Sequence, residues 1–194
     1  MSGASPRDGL ALRRATAGDA PRLHEIVAAA GRTMAEQGFN NWLSPGPIER
    51  FVEDIATRDV YVVLAAPKSP KRVRPYLENY KWGLTLFGDP IATFTLGDTA
   101  RRPYLPEPWL DPPAPALYLN RLAVDPVLQG TGIGGWCLEQ IERLARERGA
   151  RAVRCDVLTA NARLCRLYER FGYEVRGRRF HSGWGFSCYE RLID

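Results

Sequence analysis

The chain has 194 residues, 45% of them hydrophobic, and carries 27 Lys and Arg against 22 Asp and Glu, a formal charge of +5 and a pI near 9.2. That size and apolar share suit one compact domain with a real core. No apolar stretch is long enough to span a bilayer and the N-terminus has no signal-peptide core, so a cytoplasmic protein without a membrane partner is expected.

The basic excess invites a nucleic-acid reading, yet the arginines between Arg143 and Arg179 are interleaved with glutamates, as on an ordinary solvated helix face. The cysteines (Cys137, Cys155, Cys165, Cys188) show neither metal-ligand pairing nor a redox motif, and read as free thiols, most of them buried.

In chain order, residues 1–9 read as a short flexible tail and Leu10 to Arg14 as a strand. Asp19-Ala20-Pro21 is an N-cap with proline in the first turn, and Leu23, Ile26, Val27 and Ala30 then keep helical spacing. His24 lies on that helix with nothing beside it to support chemistry, so a surface or structural role is the stronger reading. The link 37–44, with Phe39 and Trp42, leads to a second helix carrying Ile48, Phe51, Val52 and Ile55. Residues 60–65 form a strand. The segment 67–81 interrupts a tight hairpin with Lys68, Lys71, Arg72 and Arg74 among prolines, and reads as an exposed basic loop. Two strands, 82–87 and 91–96, join across Gly88-Asp89. The proline-rich stretch 98–115, with Tyr104 and Trp109, reads as a lid, because long ordered loops often are.

The strand 117–124 turns at Asp125-Pro126, and Gln129, Gly130, Thr131, Gly132, Ile133, Gly134 and Gly135 then run straight into an amphipathic helix closed by Gly149. Glycines at such a junction permit positive φ and close backbone approach, so several N–H groups can converge on one anion at the positive end of the helix. A Walker loop is ruled out, because no Gly-Lys-Ser/Thr ending follows. Gly130, Gly132 and Gly135 do fit G-x-G-x-x-G, with Asp156 about 20 residues on, where a ribose partner belongs. However, that fold feeds its strand directly into the first glycine, whereas residues 125–129 intervene here, and too little chain follows Asp156 for the later strands. A third reading takes Gln129, Gly132 and Gly134 as Q-x-x-G-x-G.

A strand at 152–158 follows, then a helix capped by Asn161 and carrying Leu164, Cys165, Leu167, Tyr168 and Phe171; Gly172 ends it. Another strand begins at 173–175 and the last spans 185–192. Neither an internal repeat nor a second domain is seen. Together, Leu122-Ala123-Val124-Asp125-Pro126, Q-x-x-G-x-G, and Asn161…Leu167-Tyr168…Phe171-Gly172-Tyr173 resemble the GNAT superfamily of acyl-CoA-dependent N-acetyltransferases.

The resemblance implies an α+β (mixed α/β) fold: a single domain over 10–194, whose central, mostly antiparallel twisted sheet is splayed at the acyl-CoA site and flanked by helices on both faces. It implies acetyl-CoA as cosubstrate, no metal, and a small amine or peptide amine as acceptor; nucleic acid is not expected as a partner, and a homodimer is compatible. Residues Gln129 to Gly135 would bind pyrophosphate mostly through backbone N–H groups. A bulge near Asn120 to Leu122 would free the backbone of Leu122, Ala123 and Val124 to pair with the pantetheine arm, one N–H polarising the thioester oxygen. Asn161 would touch the same arm, although its cap alone explains it.

Tyr168 is placed as the acid that protonates the departing sulfur, since a phenol with a pKa near 10 keeps its proton at neutral pH; packing against Phe171 and Tyr173 is the alternative. Asp156 is the first choice for the base. Tyr118, Asn120, Trp42 and Phe39 are candidates for the acceptor side, with simple packing an equal reading for Trp42 and Phe39, and the lid at 98–115 would cover the acceptor. A non-catalytic acyl-CoA-binding or regulatory module on the same scaffold is the competing function. Retention of both the loop and Tyr168 favours the enzyme.

Overall fold

The computed structural model describes residues 9–65 and 88–194. The predicted basic insert at 67–81, the strand at 82–87 and all but the last residue of the tail lie outside the described residues. The described strands are β1 (Leu10–Arg14), β2 (Asp59–Ala65), β3 (Pro90–Gly97), β4 (Ala116–Val124), β5 (Ala152–Leu158), β6 (Glu174–His181) and β7 (Trp184–Leu192). The helices are α1 (Ala20–Glu36), α2 (Glu49–Thr57), α3 (Ile133–Glu147) and α4 (Ala162–Arg170). The sheet runs β1-β2-β3-β4-β5-β7-β6. β1 pairs antiparallel with β2, and β7 antiparallel with both β5 and β6; β4 and β5 run parallel. This is the expected mixed, mostly antiparallel architecture with helices. No described helix is long and apolar enough to cross a membrane.

The chain divides into two compact units, residues 1–95 with 121–137 and residues 96–120 with 138–194. In the first unit, α1 turns Leu23, Ile26, Val27 and Ala30 into a core shared with Phe51 of α2, Val60 and Val62 of β2, and Ala123 of β4. This is the face that the 3.6-residue period predicts, and each large apolar side chain taken fully out of water contributes about 2 kcal/mol. Gly31 is required by close approach: a Cβ there would overlap the carbonyl of Trp42. Asp19 does sit at the N-cap of α1, but its side chain makes no cap bond there. Instead it accepts two hydrogen bonds from Arg13 at 2.8 Å and others from Thr16 N and Oγ1 at 2.7 and 2.8 Å. An arginine fork outcompetes the helix N–H groups because a bidentate ionic pair is the stronger bond.

In the second unit β7 lies between β5 and β6 and pairs antiparallel with each over most of its length, and Leu138, Ile141 and Ala145 of α3 are fully buried. Tyr168 of α4 packs edge-on to Tyr173 and stacks on Tyr189 of β7, with ring centres 5.3 and 5.9 Å apart. β6 ends the strand order, and its pairing with β7 shifts register between Val175 and Gly177. A Cβ at Gly177 would press on Pro108 of the 98–115 loop.

Candidate functional site

In the first unit, β4 runs unbroken to Val124 but carries one left-handed residue within the stretch where the bulge near Asn120 to Leu122 is expected. Arg121 has φ of +49°, a left-handed conformation that costs a non-glycine residue about 1 kcal/mol. The conformation is held from the side: Arg121 Nη1 donates to Asp54 Oδ2 at 2.5 Å, and the guanidinium lies 4.6 Å from the centre of the Phe51 ring. Beyond it, Ala123 is buried, while Leu122 and Val124 are half-buried.

The turn after β4 is built by Asp125. Its carboxylate accepts Val127 N–H at 3.3 Å and Arg22 Nη2 at 2.6 Å, its own N–H donates to Ile91 O at 2.9 Å, and its carbonyl accepts Leu128 N–H at 2.8 Å. Gln129 folds its side-chain amide back onto Val124 O at 3.3 Å, and Thr131 Oγ1 donates to Leu128 O at 2.6 Å. These bonds turn the loop so that Gly130 and Gly132 take φ of +81° and +95°, the region where glycine alone is unstrained. Both are exposed, and nothing lies within 4 Å of where a Gly132 Cβ would stand. α3 starts at the next residue, so Ile133, Gly134 and Gly135 supply first-turn N–H groups without intrahelical acceptors. The loop thus leads its positive-φ glycines directly to the positive end of a helix.

Elsewhere in the same unit, Trp42 is half-buried against the core cluster, and Phe39 N–H donates to Met34 O at 2.9 Å as α1 ends. His24 has a structural place: its Nε2 lies 3.0 Å from Gly46 O and its ring meets Phe51 edge-on at 5.3 Å.

In the second unit, parallel pairing of β4 with β5 is confined to 116–118 and 152–154, although β5 pairs with β7 as far as Leu158. Asn161 caps α4, accepting Leu164 N–H at 3.0 Å, and Tyr168 is buried at 5% exposure. Asp156 is engaged on both oxygens: Tyr104 Oη–H donates to Oδ1 at 2.8 Å and Arg179 Nη2 to Oδ2 at 2.9 Å. The Arg179 guanidinium also covers the Tyr104 ring at 4.6 Å. Burial first, then the Asp156 carboxylate, push the Tyr104 hydroxyl far above its ordinary pKa, so it stays a donor. Tyr118 shares a hydrogen bond of 3.2 Å with Arg154 and lies among Tyr104 and Trp109, and Asn120 donates to Tyr118 O at 3.2 Å.

The 98–115 loop is fastened at several points. Arg154, 1% exposed, donates to Asp111 O, Pro112 O and Glu190 Oε1 at 2.7, 3.3 and 3.0 Å and lies 5.1 Å from the Trp109 ring centre. Tyr104 and Trp109 are buried with Cys188. So held, the loop forms one wall of its unit.

Sequence reasoning missed Arg22, Arg121, Arg154 and Arg179. Each is an arginine whose carboxylate partner is remote in sequence, and only for Arg121 and Arg154 does a charge inside an apolar run give a hint. No group of three or more His, Cys, Asp or Glu able to hold a metal occurs among the described residues.

The sequence profile described as Acetyltransferase (GNAT) family matches residues 80–173. No curated protein matches the chain. Among solved structures, a GNAT-family acetyltransferase from Streptococcus agalactiae 2603 superposes with a TM-score of 0.73 at 16% identity, covering 96% of this chain and 97% of its own. The ribosomal-protein-S18-alanine N-acetyltransferase of Escherichia coli gives 0.64 at 17% identity over 95% and 94%. The Salmonella typhimurium protein yncA, solved with its cofactor acetyl-CoA, gives 0.62 at 16% identity over 96% and 95%. Identities this low speak for the fold.

Proposed function

Since residues 80–173 belong to the Acetyltransferase (GNAT) family, we propose that this acyltransferase, with residues 10–194 acting as one N-acetyltransferase domain, moves an acetyl group from acetyl-CoA to a primary amine by direct attack in a ternary complex. The observation that carries the reading is the loop in which Gly130 and Gly132 take positive φ immediately before the first turn of α3. It offers backbone N–H groups to a pyrophosphate without a lysine, which suits a bound acyl carrier. The cosubstrate supplies an activated thioester.

The chain's residues would divide the work as follows. Gln129, Gly130, Thr131, Gly132, Ile133, Gly134 and Gly135 form the pyrophosphate cradle. The backbone of Leu122, Ala123 and Val124, released by the kink at Arg121, pairs with the pantetheine arm, and one of its N–H groups polarises the carbonyl oxygen; Asn161 adds a contact to that arm. As the amine nitrogen bonds the carbonyl carbon and the carbon–sulfur bond breaks, Tyr168 gives its phenolic proton to the sulfur, and Asp156 takes the proton shed by the amine. With one donor on each oxygen, Asp156 retains a second lone pair on each for that proton or for a relaying water. Trp42, Phe39, Tyr118 and Asn120 would be the residues that contact the acceptor, a small amine or a peptide amine. A cytoplasmic setting fits the free cysteines. No step calls for a metal.

The test is calorimetric titration with acetyl-CoA, with NADH in a parallel cell, followed by an amine screen read by thiol release. Micromolar acetyl-CoA binding, no NADH binding and amine-dependent thiol release are expected. Binding without thiol release for any amine would favour the non-catalytic module, and NADH binding would overturn the reading.

A further inference from the structure

The anion loop is not self-supporting. Its entry, Asp125, is 4% exposed and is gripped by Arg22 from a helix far off in sequence. Arg22, on the first turn of α1, donates through Nη2 to Asp125 Oδ2 at 2.6 Å and through Nε to Pro90 O at 3.1 Å, where β3 begins. Asp125 N–H closes the triangle on Ile91 O at 2.9 Å. The other carboxylate oxygen of Asp125 takes Val127 N–H, and from there the turn hands on bond by bond to Leu128, Gln129 and Thr131. Arg22 thus ties one helix and one strand to the residue that sets the loop's path. Its side chain is 22% exposed and that of Asp125 is 5% exposed, so the pair is poorly screened by solvent.

We propose that Arg22 is a positioning residue for cofactor binding: through Asp125 it holds the 129–135 loop in its anion-receptive shape. The inference rests on the function proposed above. A guanidinium is suited to the task because its planar fork reaches Asp125 and Pro90 O at once, whereas an ammonium is a point donor.

A structural control lies in the same unit. Arg13 also pairs with a buried aspartate, Asp19, at 2.8 Å, ahead of the same helix, and takes no part in the loop. The experiment is calorimetric titration of the full chain with coenzyme A, together with thermal unfolding, for wild type, Arg22→Met, Arg22→Lys and Arg13→Met. We expect Kd to rise about tenfold in Arg22→Met, to recover in part in Arg22→Lys, and to change less than about twofold in Arg13→Met although its melting temperature falls. Unchanged Kd in Arg22→Met, or an equal loss in Arg13→Met, would overturn the inference. Failure of wild type to bind coenzyme A would instead strike the functional reading beneath it. Should Arg22→Met not fold, the double variant Arg22→Lys/Asp125→Glu, which keeps both charges and shifts the geometry, decides: wild-type Kd defeats the proposal and a raised Kd supports it.

Discussion

A single methyl group at position 132 probes the proposed anion cradle directly. Gly132 has φ of +95° with open space around it, so Gly132→Ala meets no clash, only the cost of the left-handed region and a methyl beside the N–H groups. Coenzyme A affinity should fall about tenfold while the melting temperature moves little, and unaltered affinity in titration would remove the cradle from the mechanism. Tyr168→Phe asks a different question, since the aromatic packing on Tyr173 and Tyr189 survives the loss of the hydroxyl. Turnover should drop about a hundredfold with coenzyme A affinity nearly unchanged; steady-state kinetics with full turnover would end the acid role. The turn of the glycine loop and the Asn161 cap were legible in the sequence because glycine and asparagine act within three or four residues of themselves. The partners of Asp156 were not: Tyr104 and Arg179 lie 52 and 23 positions away, and only the folded sheet brings them together.

At the scale of elements, the buried pair Arg154–Glu190 decides whether the 98–115 loop stays on its sheet. Both side chains are essentially out of water, at 1% and 0% exposure, and Glu190 also receives Arg176 Nε at 3.2 Å. Replacing Arg154 by Met leaves a buried carboxylate short of a donor and two loop carbonyls unmet, at a cost of about 3 kcal/mol. Urea unfolding should show it as a lower midpoint, and limited proteolysis should begin to cut within the loop. An unchanged midpoint would mean the loop is fastened by Trp109 and Tyr104 alone. Helix α1 and helix α3 were readable from their apolar period, whereas only the start of β6 was, because its exposed and half-exposed residues follow no two-residue alternation. The fastening of the loop left no local trace, since prolines announce irregular backbone without saying what holds it.

For the molecule as a whole, acid is the revealing variable. The Arg13 guanidinium, chiefly by hydrogen bonding, holds the Asp19 carboxyl down at about 2, and Thr16 adds to this. A carboxyl depressed in the folded state stabilises above its unfolded value near 3.9 and loses that contribution as pH falls toward 2. Since Arg13 is 39% exposed, the pair contributes only about 1 kcal/mol. Arg13→Met should therefore lower the melting temperature at pH 7 and leave it nearly equal to wild type at pH 2; an equal deficit at both would refute the assignment. The thiols report on the same body. Burial raises Cys137 and Cys155 well above their ordinary range and Cys188 to about 11, so in native protein at pH 8 the half-buried Cys165 should react first with a thiol reagent. Mass mapping that found Cys188 labelled first would show that the loop above it opens.

The register shift in β6 bears on how the protein behaves in a crowded solution. A rim strand with an unbroken pleat is a template on which another chain can lay itself down. Here the repeat of donors and acceptors falls out of step between Val175 and Gly177, and the exposed Arg178 places charge along the same rim. An incoming strand can therefore match only a few residues before it loses alignment. A recombinant chain should for that reason tolerate concentration and refolding without seeding fibres, despite Phe180 standing 84% exposed on that strand.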